Sequence, residues 1–334
     1  MTTATTIRHR KLGATGPEVF PIALGCMGMS GVYGPAEEPE SLATIHAAID
    51  AGVNLIDTGD FYGMGDNEML LSKALRFFRE QVLISVKFGA QRGPDGSWIG
   101  YDARPAAVKT ALAYSLKRLG VSYIDIYRPA RLDPNVPIED TVGAIADMIK
   151  AGYVRHVGLS EVGPETIRRA AKIHPIVDLQ IEYSLISRSA ESKIFPALNE
   201  LGISTTAYGV LSRGLLSGSR IAGSGDIRNR FPRFNAQNLA QNQNLVARIR
   251  QIASGKGITQ SQLAIAWVLA KGDSIIPVIG ARTRTQLSES LAALDVRLTQ
   301  DEIAALEAAV PQDAVAGTRY DEHQMSVLDS EKQA

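Results

Sequence analysis

The sequence predicts an α/β chain closed into a barrel of eight parallel strands with helices outside, a (β/α)8 TIM barrel. Short β-branched runs alternate with amphipathic helical stretches eight times. No shift of composition separates one unit from the next, so all 334 residues read as one barrel domain. The doubly wound alternative needs Gly-x-Gly-x-x-Gly between a strand and a helix. Here Gly25-Cys-Met-Gly28-Met-Ser-Gly31 has other spacing, and Gly34-Pro35 blocks an immediate helix.

In order, Ile7–Leu12 and the glycine-bounded turn after it read as a small hairpin, spanning 7–18. The barrel is expected over 19–310. Its units are Val19–Leu24 with a helix near Glu40–Ala51, Val53–Ile56 with Asn67–Arg76, Val82–Val86 with Pro105–Leu119, and Tyr123–Tyr127 with Ile138–Lys150. Val154–Leu159 follows with Glu165–His174, Val177–Ile181 with Ser192–Leu201, Ile203–Ala207 with a helix near Leu239–Gly255, and Ser274–Ile279 with Thr283–Leu294. Right-handed crossovers close such a series. Pro105 and Pro164 suit first helical turns, and Thr299-Gln-Asp-Glu302 has capping-box spacing for an extra helix. Gly52, Gly120, Gly152 and Gly202 stand where helices end in a left-handed residue. Residues 311–334 form a tail, with Tyr320 and Met325 able to close a pocket or to fray.

Thirty-five basic residues balance 35 acidic ones with no dense block of either sign, which argues against nucleic acid or an anionic membrane as partner. Cys26 is the single cysteine, so no intrachain disulfide forms, and a reducing cytoplasm is the natural compartment. No apolar stretch reaches bilayer length and Met1–Gly16 lacks a signal-peptide core. The five histidines show no metal-ligand pairing, so no metal is expected. Monomer and homo-oligomer both remain open.

In a barrel of this kind chemistry gathers where strands end at their carboxyl side. Asp57 ends one apolar run, Lys87 ends the next, and Tyr62 follows Asp57 by five residues. A phenol ionises near about 10, too high for easy proton donation at neutral pH. A nearby ammonium lowers that value, and a carboxylate holds the ammonium in place. These three residues therefore read as a proton donor with its own tuning circuit, suited to reducing a carbonyl by hydride. Arg128, Ser160, Gln180, Tyr208 and Gly280–Arg282 fall at the same barrel end. Met29, Tyr33 and Trp98 follow the first three strands and are candidates for an apolar substrate pocket, with Arg128 and Ala130 beside them. The long segment 217–244, with Phe231-Pro-Arg-Phe234 at its centre, is expected to fold over a cofactor.

Over nearly its whole length the sequence resembles the aldo-keto reductases. The carrying motifs are Gly25-Cys-Met-Gly-Met-Ser30, Asp57-Thr-Gly-Asp-Phe-Tyr-Gly63, Val86-Lys-Phe-Gly89, Gly158-Leu-Ser-Glu161, Leu179-Gln-Ile-Glu-Tyr-Ser184, Ala207-Tyr-Gly-Val-Leu-Ser-Arg-Gly214 and Ile279-Gly-Ala-Arg282. The resemblance implies NADPH, rather than NADH, lying extended across the barrel mouth, and reduction of an aldehyde or ketone with Tyr62 as general acid and Lys87 and Asp57 tuning it. It implies that Ser160, Glu161 and Gln180 hold the nicotinamide carboxamide and that Tyr208 stacks on the ring. Leu211, Arg213 and Gly214 would meet the pyrophosphate, while Gly280, Arg282 and Gln286 would take the adenosine-phosphate end.

One position departs from the family pattern. The family usually places a histidine after its fourth strand, and here the matching residue is Ala130. Alanine donates nothing to a developing alkoxide, and losing one such donor costs on the order of 2.7–4 kcal/mol. Arg128 or Arg131 could take over that role. The alternative is an NADPH-binding redox sensor with little turnover, resembling the potassium-channel β-subunits, which also lack that histidine.

Overall fold

The computed structural model describes residues 7–219, 221, 223 and 226–332. Strands β1 (Arg10–Lys11) and β2 (Glu18–Val19) pair antiparallel as the expected N-terminal hairpin. Then follow β3 (Ala23–Gly25), β4 (Leu55–Gly59), β5 (Leu83–Phe88), β6 (Ala90–Arg92), β7 (Trp98–Tyr101), β8 (Ile124–Pro129), β9 (Val154–Ser160), β10 (Ile176–Glu182), β11 (Ser204–Tyr208) and β12 (Ile275–Gly280). Eight of these, in the order β3-β4-β5-β8-β9-β10-β11-β12, pair parallel and close on themselves. That is the barrel the alternation predicts.

The helices are α1 (Glu38–Asp50), α2 (Asp66–Leu75), α3 (Pro105–Leu119), α4 (Ile138–Lys150), α5 (Pro164–Ile173), α6 (Ala190–Leu201), α7 (Ala236–Gly255), α8 (Gln260–Ala270), α9 (Arg284–Leu291), α10 (Gln300–Ala309) and α11 (Glu322–Val327). In α3 the buried positions Val108, Leu112, Ser115 and Leu119 recur at helical spacing, so one stripe faces the barrel. Proline opens α3 and α5, and Thr299 with Glu302 makes both bonds of a capping box on α10. No helix among the described residues is long and apolar enough to cross a membrane.

Two elements add to the expected series. The hairpin β6–β7 projects beyond β5, and α8 lies between α7 and β12 under its own Thr259/Gln262 capping box. Hairpin β1–β2 seals the amino end of the barrel. Leu12 and Val19 join Ala23, Leu55, Ile126, Val177 and Ile276 in a core inside the ring. Gly13 donates to Ser204 Oγ at 2.7 Å, and a Cβ there would lie 2.4 Å from Val177 O, with φ at 69°. Only glycine fits so close a backbone approach. With that end plugged, the carboxyl end is left for chemistry.

Candidate active site

Asp57 and Lys87 lie on neighbouring strands, in a register that pairs Asp57 with Ser85 and Gly59 with Lys87. Lys87 Nζ donates to Asp57 Oδ1 at 2.5 Å. The other carboxylate oxygen accepts from Gln180 Nε2 at 2.8 Å and Ser85 Oγ at 3.0 Å. Both charged side chains are about 95% buried. Tyr62 begins a 3₁₀ turn, Tyr62–Gly65, directly after β4, and its ring packs edge-on against Phe61 at 4.9 Å. Gly59 makes room for it, since a Cβ there would sit 3.3 Å from Tyr62 Cε1. Lys87 Nζ stands 5.1 Å from the Tyr62 ring centroid, and the Tyr62 hydroxyl bonds to no described residue.

The sequence therefore brings the carboxylate, phenol and ammonium together, but the tuning runs opposite to expectation. Burial first, then the Asp57 carboxylate and the Tyr33 phenol, push Tyr62 well above the usual phenol range; Arg131 pulls it back. Burial also lowers Lys87, outweighing its bond to Asp57. Tyr62 is held as a neutral phenol at neutral pH.

Arg128 does not reach the pocket expected for it. It follows Ile126 by two residues, so both point into the barrel. Fully buried, it meets Asp178 Oδ2 at 2.7 Å and donates to Ser85 Oγ at 3.0 Å, bracing Asp57 from below. Gly158 leaves the room, since a Cβ there would be 3.0 Å from Arg128 Cζ. Met29 packs in the hydrophobic core, and Trp98 sits on the β6–β7 hairpin with 44% exposure, edge-on to Tyr101. Tyr33 remains at the mouth, where its field reaches Tyr62, and Ala130 is buried at the end of β8.

Around the mouth the polar groups are shared with the C-terminal tail. Glu161, left-handed at φ 54° after β9, is fully buried. Its oxygens accept from Arg319 at 2.8 and 2.6 Å, Ser330 Oγ at 2.6 Å, Tyr208 Oη at 2.7 Å and Glu182 N at 3.0 Å. Arg319 and Arg131 hold it far below the usual carboxylate range, despite its burial. Tyr208 and Tyr320 hydroxyls are 2.9 Å apart. Glu182 takes Arg213 at 3.1 Å and Arg233 at 3.2 Å, and Phe231 packs on Tyr320. Arg319, Arg233 and Glu182 escaped the sequence reading; the only signal was their placement in segments already marked as tail, long loop and strand end. Tyr320 closes the mouth as one of its two expected behaviours.

A family that matches these features can be read from comparison. The Aldo/keto reductase family pattern matches residues 21–311. The chain belongs to the aldo/keto reductase family. It is 40% identical over 321 residues to "Probable aldo-keto reductase 1" of Glycine max, covering 94% of this chain and 92% of that protein. Among solved structures it resembles the glycerol dehydrogenase AKR11B4 from Gluconobacter oxydans, with TM-score 0.82, 26% identity, and coverage of 91% and 95%. The holo form of aldo-keto reductase AKR11C1 from Bacillus halodurans gives TM-score 0.76 at 26% identity, covering 95% and 99%. The protein is thus an oxidoreductase of a family that uses nicotinamide cofactors and small-molecule substrates.

The residues here fit such a cofactor. Ser212, Arg213 and Gly214 take φ of 46°, 54° and 94° in succession, a left-handed loop in which the Ser212 N–H donates to Gly209 O at 2.7 Å and the Gly214 N–H to Leu211 O at 3.0 Å. Inside it the buried Ser212 hydroxyl has no partner. At the end of β12, after Gly280, Arg282 donates to the carbonyls of Tyr33 at 3.2 Å and Pro35 at 3.3 Å, and Gln286 Oε1 accepts from the Arg282 N–H at 2.8 Å.

Proposed function

We propose that the protein is an NADPH-dependent reductase of aldehydes or ketones, with Tyr62 as proton donor and Lys87 and Asp57 positioning and tuning it. The observation that carries this is the buried Asp57–Lys87 pair with the unengaged Tyr62 hydroxyl beside it. When bound, a nicotinamide supplies the hydride. Tyr62 keeps its proton at neutral pH and delivers it to the carbonyl oxygen as negative charge develops there, because an alkoxide is far more basic than a phenolate. Lys87 offsets the phenolate left behind, and Asp57 keeps Lys87 oriented. Preference for NADPH rests on Arg282, which, unlike its neighbour Arg284 paired to Glu40, has no carboxylate partner among the described residues. Ser160, Gln180 and Tyr208 would frame the nicotinamide, and the Leu211–Gly214 loop the pyrophosphate. Glu161 serves there through the tail it anchors.

Single-turnover mixing of the NADPH-loaded protein with 4-nitrobenzaldehyde tests this. Nicotinamide absorbance should fall within seconds, and at least 100-fold more slowly in Tyr62→Phe. Equal rates in the two proteins would remove Tyr62 from the mechanism, and tight NADPH binding without oxidation would remove the reductase.

A further inference from the structure

Besides Arg282 at the far end of the mouth, one more cation there, Arg131, lacks a carboxylate partner among the described residues. Lys87 meets Asp57, Arg128 meets Asp178, Arg213 and Arg233 share Glu182, and Arg319 lies between Glu161 and Glu331. Arg131 has no carboxylate in ion-pair contact among the described residues. Its guanidinium donates to Ala130 O at 2.6 Å, Tyr320 Oη at 3.1 Å and Ser160 Oγ at 3.4 Å, all neutral acceptors. Because Tyr208 gives its hydroxyl proton to Glu161, Tyr320 donates to Tyr208. The route from Arg131 to a carboxylate therefore runs through two phenols, and ends on a Glu161 that Arg319 already neutralises.

A partly buried cation whose direct contacts are all neutral acceptors keeps capacity for an anionic partner. The cofactor does not supply one at this place. Arg131 touches Ser160, at the position proposed for the uncharged carboxamide, while the loop proposed for the pyrophosphate, with its unpartnered Ser212 hydroxyl, follows β11. What reaches Arg131 is the substrate, whose carbonyl has to lie against Tyr62. Arg131 follows Ala130, whose N–H donates to Phe88 O at 2.8 Å, and β8 pairs with β5 so that Arg128 stands opposite Lys87. Arg131 therefore sits at the same barrel end as Lys87 and Tyr62, and its charge is felt at both. Its three contacts leave part of the planar donor fork free, and that fork matches a carboxylate in two parallel bonds. Ala130, small and adjacent, adds no bulk between Arg131 and the reaction centre.

Building on the reductase reading, we infer that the substrate is an oxo acid, bearing a carboxylate close to its carbonyl, and that Arg131 is the residue that binds that carboxylate. The chemical step is unchanged: hydride adds to the carbonyl carbon, Tyr62 protonates the oxygen, and the carboxylate stays ionised on Arg131 throughout.

A matched pair of probes tests this, 3-carboxybenzaldehyde against benzaldehyde, with kcat and KM measured for the native protein, Arg131→Gln and Arg131→Lys. The native protein should favour the acid in kcat/KM by at least about 10-fold. In Arg131→Gln the acid-to-neutral ratio should fall by about 30-fold, mainly through KM, as expected for losing a bidentate charge-assisted contact. Arg131→Lys, which keeps the charge and loses the fork, should fall between. No native preference for the acid, or an unmoved ratio in both variants, overturns the inference. Calorimetric binding of isophthalate, which is not reduced, decides the same point without turnover. Binding weakened at least 10-fold in Arg131→Gln supports the anion site, and equal affinity refutes it. Should neither aldehyde be reduced, the reductase reading fails alone and the isophthalate result still stands.

Discussion

Replacing Arg319 by Met probes how the tail is held over the barrel mouth. The methionine keeps most of the stem's bulk and deletes the guanidinium, which is 5% exposed and makes two bonds of 2.8 and 2.6 Å to Glu161. Glu161 would stay fully buried, with Tyr208, Ser330 and the Glu182 amide as its remaining donors. Removing one partner of a buried pair costs about 3–5 kcal/mol. The surviving donors argue for the lower end, about 3 kcal/mol, which lowers Tm by roughly 4 °C in a chain of 334 residues. The pH dependence identifies the cause. Glu161 is depressed in the folded state, so its stabilisation is present above the unfolded value of about 4.3 and lost as pH falls through the folded value, below the usual carboxylate range. Arg319→Met loses much of that depression, so the stability gap to the native protein should be full at pH 7 and narrow below about pH 4. Urea melts at pH 7, 5 and 3.5 measure it, and Glu161→Gln in the Arg319→Met background should restore at least half of the loss at pH 7. A gap under about 1 kcal/mol, or no recovery with glutamine, would refute the ion pair as the clasp.

Asp60 offers the opposite sign. Burial and the neighbouring Glu68 push it up to about 7, against the opposing pull of Arg118. The folded state thus keeps a proton that the unfolded chain releases near pH 4, and stability falls as pH rises from about 4 to 7 before levelling. Asp60→Asn should therefore add about 1–3 kcal/mol in urea melts at pH 8 and little at pH 4; equal effects at both would contradict it. At the cofactor's far end, Arg282→Met should weaken NADPH about 30-fold while leaving NADH within about 3-fold, read by fluorescence titration. Parallel loss of both would show that Arg282 only braces the Tyr33 loop.

The strands were legible because a parallel barrel strand is buried on both faces and reads as a continuous β-branched run. Helices α3 and α4 emerge at the expected bounds, Pro105–Leu119 and Ile138–Lys150, since one face is apolar and the other solvated. Helix α8 has no such contrast. Leu263, Ala264, Ile265, Ala266, Trp267 and Val268 are all buried, with α8 packed between α7, α9 and β12, so its sequence carries no helical period. Hairpin β6–β7 did leave a signal in Pro94-Asp95-Gly96, whose turn returns the Gly93 N–H to Ser97 O at 2.9 Å. The groups carried by β4 and β5 could be placed from strand ends alone. Tail contacts such as Arg319 to Glu161 span 158 residues, and no local pattern encodes them.

Arg128 shows why strand-end position alone did not separate brace from pocket. Period-two alternation sends Ile126 and Arg128 to the same inner face, but whether that face meets substrate or another side chain depends on what fills the ring at that level. Here Asp178 and Thr206 fill it, and the space comes from the missing side chain of Gly158. The consequence reaches the mouth. Ser85 donates to Asp57 and accepts from Arg128, so the buried cation below and the Lys87 ammonium beside Asp57 act on one carboxylate. Arg128 also helps lower Lys87, adding to the effect of burial. A lysine pressed from below by a second cation and bound to Asp57 has reason to accept negative charge on Tyr62 when it appears. Before hydride transfer, burial keeps that charge from appearing. The same layer thus holds the phenol protonated at rest and favours its ionisation as the proton leaves, which is what a proton donor to an alkoxide requires.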